Sequence, residues 1–219
     1  FKKYDNEVIK MRNKVILGSD SKMMSFLSKT FDLIILNILF VLCSIPVITI
    51  GSSLTALYSV TLKMVRNEES YIFRSFFKSL KENFCQTISI WIPTLLMGLF
   101  LYTDFRILKL PLASGLRFLY IPLIILAVVL ACVILYSFAI SAYFKCSIKQ
   151  ILKNVLFLCT KHKLYTLSML AISFSIIIVF TMGTNKTVLF LINLFTLIGF
   201  SSLNLLYAFF FRKIFDLYE

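Results

Sequence analysis

The chain has 219 residues, 59% of them hydrophobic, with a mean hydropathy of +0.91. A soluble domain is about 45–50% apolar, and one globule of this length cannot hide the excess, so an ordinary soluble fold is excluded. The net charge is +13, but the basic residues lie between long apolar runs and form no soluble patch. That pattern excludes a nucleic-acid module and points to topogenic charge on cytoplasmic loops, facing anionic headgroups of the lipid bilayer.

Residues 1–30 are basic and show no signal peptide; Ser19 and Asp20 predict a helix N-cap. Met23, Met24, Leu27 and Phe31 follow at helical spacing, as in a surface helix leading into the membrane. The first expected span is 31–50, with Asp32 at its rim, Asn37 facing another helix and a kink at Pro46. Residues 52–66 are short and polar for a span. Either Gly51 makes a tight turn and a second span returns, or one bent helix runs from Phe31 to Arg66. Clearer apolar segments follow at 87–104, 118–144, 166–182 and 188–211. Pro111 and Gly115 mark the linker 105–117, residues 183–187 form a polar turn, and 212–219 is a tail.

Charge decides between the two readings. With six spans and both termini cytoplasmic, only Arg106, Lys109, Arg117 and Lys186 lie outside, leaving 19 of the 23 Lys and Arg inside. With five spans the split becomes 11 inside and 12 outside. The positive-inside rule prefers six. The expected fold is therefore all-α, a polytopic transmembrane bundle of about six spans in one domain. The short second span should be buried, its Ser52/Ala56 and Thr55/Ser59 pairs allowing close approach.

Two cytoplasmic loops read as amphipathic helices. In 71–84, Phe73, Phe76, Phe77, Leu80 and Phe84 recur at helical spacing with Arg74, Lys78 and Lys81 on other faces. In 147–164, Ile148, Ile151, Leu152, Val155 and Leu156 do the same, and the two loops read as a weak internal repeat.

Catalytic chemistry is not visible. His162 stands alone in a Lys-rich loop, no phosphate-binding or zinc-protease motif occurs, and no carboxylate pair lies at membrane depth. The five cysteines are widely spaced without a C-x-x-C pair, so no metal or cofactor is expected, and no enzyme. The buried polar set includes Asn37, Ser44, Thr49, Ser52, Thr55 and Tyr58. It reads either as helix–helix hydrogen bonding or as a patch recognising an uncharged solute. Residues 63–84 carry the densest mixture of charge and aromatics. They read either as a headgroup-level surface helix or as a partner-docking helix.

A run from Cys43 to Leu80 carries a resemblance. It contains Pro46-Val47-Ile48-Thr49-Ile50-Gly51, Thr55-Ala56-Leu57-Tyr58 and Arg66-Asn67-Glu68-Glu69, followed by the aromatic basic helix. Asp20–Met24 and Arg212–Glu219 add similar flanking motifs, with Ser70 in place of a glycine and Met23 in place of a phenylalanine. On these residues the chain resembles the YesL-like family of bacterial integral membrane proteins, over residues 18–219. The resemblance implies location in the bacterial plasma membrane and association with carbohydrate ABC importers. The first functional expectation is thus an accessory component of an oligosaccharide importer, docking its permease or nucleotide-binding subunit. Arg66, Glu68, Glu69, Phe73, Arg74, Phe76, Phe77 and Lys78 would form the docking surface. The alternative is a stand-alone carrier or channel for an uncharged solute such as a sugar, lined by the buried hydroxyls around Pro46–Gly51.

Overall fold

The computed structural model describes residues 24, 27–68, 71–109 and 118–218. The expected cap at Ser19 and Asp20, residues 20–23 of the Asp20–Met24 motif, Glu69 and the Pro111–Gly115 linker lie outside them. Among the described residues the chain is all helical. Helix α1 covers 27–43. A 3-10 turn at Val47–Thr49 leads into α2 (Ile50–Val65), followed by α3 (Ile72–Leu108), α4 (Tyr120–Tyr143), α5 (Ile148–Lys161) and α6 (Lys163–Met182). Helix α7 (Asn185–Leu194) passes through one π-helical turn, Phe195–Gly199, into α8 (Phe200–Phe215).

Among the described residues, five stretches are long and apolar enough to cross a membrane: Val47–Val65, Ile72–Leu108, Tyr120–Tyr143, Lys163–Met182 and Asn185–Phe215. The protein is a multi-pass membrane protein.

The chain does fold back after α1. Lys29 Nζ, near the start of α1, donates to Asn67 Oδ1, beyond the end of α2, at 3.2 Å. Leu36, Leu39 and Phe40 of α1 pack with Ala56, Leu57 and Val60 of α2. The break, however, is at 44–49 and not at Gly51. Proline lacks the amide proton that would continue α1, and it disfavours the helical region for the residue before it. Gly51 lies inside α2. A Cβ placed there would stand 2.7 Å from Trp91 Cβ, so glycine serves close packing between α2 and α3. Helix α2 ends in a Schellman motif. Asn67 takes a positive φ of 56°, Glu68 N donates to Lys63 O, and Asn67 N donates to Met64 O.

A second departure concerns α3. The expected surface helix over 71–84 and the span over 87–104 are one unbroken helix of 37 residues, about 55 Å long. Charged residues do not interrupt a helix; they only change what surrounds it. The second loop helix forms as a separate element, α5. Ser147 and Gln150 close a capping box at its start, and Ile151, Val155 and Leu158 are buried against the bundle. The expected tail is likewise partly helix: α8 continues through Phe215, which packs fully buried beside Tyr143, Phe144 and Phe211.

Helices α3 and α4 are antiparallel, with Phe105 against Tyr120 near one end and Gln86 donating to Cys146 O near the other. Helices α6 and α8 are also antiparallel: Tyr165 meets Phe210, while Phe180 meets Phe195 at the entrance to α8. Helix α2 sits inside this frame. Its apolar window is 56% buried, against 11% for α6, as expected for the short polar helix.

Candidate functional site

Two places carry unusual chemistry: a polar seam through the α1–α2 hairpin, and the end of the bundle where α2, α4 and α8 finish.

The seam begins at the hairpin turn. Leaving helical geometry frees carbonyls, which are costly at membrane depth unless protein groups satisfy them. Thr49 Oγ1 donates to Cys43 O at 2.6 Å and Pro46 O at 2.7 Å, Trp91 Nε1 donates to Val47 O at 2.7 Å, and Ser52 Oγ donates to Thr49 O at 2.8 Å. Deeper in the bundle, Asn37 holds the π-helical turn. Its Nδ2 donates to Phe195 O at 3.0 Å and Thr196 O at 2.7 Å, and its Oδ1 accepts from Ser201 N at 3.0 Å. A π turn displaces the usual helical bonds, and one amide side chain supplies both the donor and the acceptor that the displaced groups need. Ser201 Oγ returns a bond to Leu33 O, and Thr61 donates to Asn204.

This arrangement bears on the solute-patch reading. Asn37, Thr49 and Ser52 tie backbone together, and Thr55 bonds Gly51 O within its own helix. Ser44 Oγ is buried without a partner. Tyr58 alone of the six lines the large cavity of the bundle. The six residues therefore do not form a common path.

At the bundle end, Arg66 is an internal tie. It bonds the Tyr143 hydroxyl, lies 4.5 Å over the Tyr143 ring, and forms ion pairs with Asp216 at 3.3 Å and Glu68 at 3.8 Å. Arg212 Nη1 donates to Val65 O at 2.7 Å. These bonds fasten α2, α4 and α8 at one level.

Phe76 is fully buried beside Leu36, Ala56, Leu57 and Val60. The expectation that it anchors a partner is corrected: it anchors α3 to the hairpin. Phe73 and Phe77 are 59% and 45% exposed, their rings 5.9 Å apart. Arg74 and Lys78 are exposed beside them, and Lys78 pairs with Glu82 at 4.0 Å. Four of the eight proposed docking residues thus share an accessible surface at the start of α3, and Glu68 is exposed nearby. Sequence periodicity could not separate Phe76 from Phe73 and Phe77, because all three lie within about one turn of a helix.

In α5, a hydrogen bond with Cys132, followed by burial, pushes the Cys159 thiol well above its ordinary range, away from thiolate reactivity.

No curated protein and no solved structure matches the chain. Residues 33–105, from α1 through nearly all of α3, match the family described as "Protein of unknown function, DUF624". That stretch contains the whole 43–80 run on which the YesL-like resemblance rests, and over it this chain is similar to that family.

Proposed function

We propose that the protein is an accessory subunit of a carbohydrate ABC importer in the bacterial plasma membrane, docking a cytoplasmic face of that importer through the start of α3. The observation that supports this most is the exposed pair Phe73 and Phe77 flanked by Arg74 and Lys78. Aromatic and Arg side chains commonly dominate protein interfaces, and a helix presenting them at i and i+4 suits a groove on a partner. The resemblance to YesL-like proteins supports the partner class. The solute-carrier alternative is weaker, because the hydroxyls nominated for a path are spent on backbone carbonyls.

The test is co-purification from native membranes. Phe73→Ala with Phe77→Ala should lower recovery of permease and nucleotide-binding subunits at least tenfold, while the protein still inserts and resists unfolding as before. Full recovery of both subunits with the double variant would remove the docking surface. Sugar uptake by the protein alone in vesicles would replace the accessory reading with the carrier.

A further inference from the structure

A cavity of about 500 Å³ lies between α2, α4, α6 and the α7–α8 helix, within the range of small-molecule sites. Its two ends differ. Leu57, Tyr58, Phe138, Asn204 and Tyr207 are buried and close the inner end. Ile177, Ile192 and Phe200 are substantially exposed and form a mouth on the apolar outside of the bundle. A molecule reaching this mouth comes from the bilayer and not from water.

The inner end carries the few polar groups of an otherwise apolar cavity. Asn204 accepts from Thr61, and Tyr207 pairs with Ser173 at 2.7 Å. Tyr58 is only 4% exposed and lines the cavity. A hydroxyl on a cavity wall suits a partner that arrives from outside, since a hydrogen bond made there contributes about 0.5–1.5 kcal/mol. Among the described residues, no Lys, Arg, Asp or Glu lines the cavity. An ionised headgroup would be buried there without a counter-charge.

We infer that this cleft binds a neutral amphiphile dissolved in the membrane: a hydrocarbon body carrying one uncharged hydroxyl or carbonyl oxygen, which accepts from Tyr58. The apolar walls take the chain, the lateral mouth admits it, and the absence of charge excludes carboxylates, phosphates and sulfonates. The site is separate from the docking surface on α3 and stands whether or not a partner binds there.

The test uses two photoreactive probes of equal chain length in phosphatidylcholine vesicles holding the intact protein: a diazirine-bearing long-chain alcohol and the corresponding alkyl sulfonate. The alcohol should label peptides containing 54–58 and 203–207, and the sulfonate should label them weakly. Tyr58→Phe should lower alcohol labelling about fivefold, the effect of one hydrogen bond, without changing labelling of the lipid-facing surface of α3 near Leu96–Phe100. Leu203→Trp, which fills the cleft, should abolish it. Equal labelling by both probes overturns the neutral-ligand assignment. Unchanged labelling of Tyr58→Phe overturns the role of Tyr58, and this conservative variant remains decisive if Leu203→Trp fails to fold.

Discussion

The α1–α2 hairpin and the far half of α3 solve the same problem in opposite ways. Around the hairpin turn the backbone leaves helical geometry, and Thr49, Trp91 and Ser52 take up the freed carbonyls one by one. Beyond Trp91, α3 keeps its own backbone bonds and presents Leu96, Leu99, Phe100 and Tyr102 outward with little packed against them. In lipid, a regular helix needs no neighbour to satisfy its backbone, whereas a bend does. Polar side chains therefore concentrate where the fold is irregular, and there they serve architecture before any ligand.

Two glycines of comparable helical setting give the sharpest way to break that contrast. A Cβ at Gly51 would meet Trp91 Cβ at 2.7 Å, whereas one at Gly98 would stand 3.8 Å from Leu130. Gly51→Ala should force α2 and α3 apart and destabilise the protein by about 1–3 kcal/mol, the usual cost of overpacking. Gly98→Ala should be neutral or stabilising by up to about 1 kcal/mol, since alanine is the better helix former. Thermal unfolding in detergent measures both. Equal effects would mean that the hairpin is not pinned on Trp91.

The same contrast applies to two asparagines. Asn37 bonds three backbone groups of another helix, and Asn193 bonds only Leu189 O in its own helix while facing outward. Asn37→Leu leaves two acceptors and one donor unpaired near the π turn. We expect a loss of about 2–4 kcal/mol, with part of the penalty relieved as the turn relaxes. Asn193→Leu should cost less than about 0.5 kcal/mol, as exposed substitutions do. If Asn37→Leu is harmless, the π turn is held by something other than this amide.

How much of this was legible depended on what each segment needed from the rest of the chain. Helix α4 was expected over 118–144 and is found at Tyr120–Tyr143, because a window with mean hydropathy of 3.0 announces itself without reference to neighbours. Gly51 was misread as the turn because a glycine signals either a bend or a close approach, and only the position of Trp91 decides between them. Pro46 carried the correct signal, since its missing amide proton is a local fact. The continuity of α3 was obscured by Arg74, Lys78, Lys81 and Glu82, which mark a change of surroundings and not a change of backbone. For Asn37 the sequence required a partner at depth. It could not say that the partner was the backbone of a π turn more than 150 residues away.

The smallest expected effect on stability also tests the hairpin most directly. Ile45, Val47 and Ile48 at the turn are exposed and wholly apolar, and no charged residue lies between Asp32 and Lys63. The turn is level with Trp91, and the rest of α3, to Leu108, rises about 25 Å further. Helix α2 has 16 residues, about 24 Å, against a hydrocarbon core of about 30 Å. A turn of this composition at this level is expected in hydrocarbon, with the hairpin entering and leaving on one side. The charge count is unaffected, because the turn carries none. Ile48→Cys, in a protein whose five natural cysteines are replaced by serine, should alter stability by less than about 0.5 kcal/mol. It should resist a membrane-impermeant maleimide from either side, because the reactive thiolate forms only where water reaches. Thr184→Cys, in the short turn between α6 and α7, should react from one side. Rapid labelling of Ile48→Cys from that same side would show the turn emerging into water, making α1 and α2 two full crossings and raising the number of spans to six.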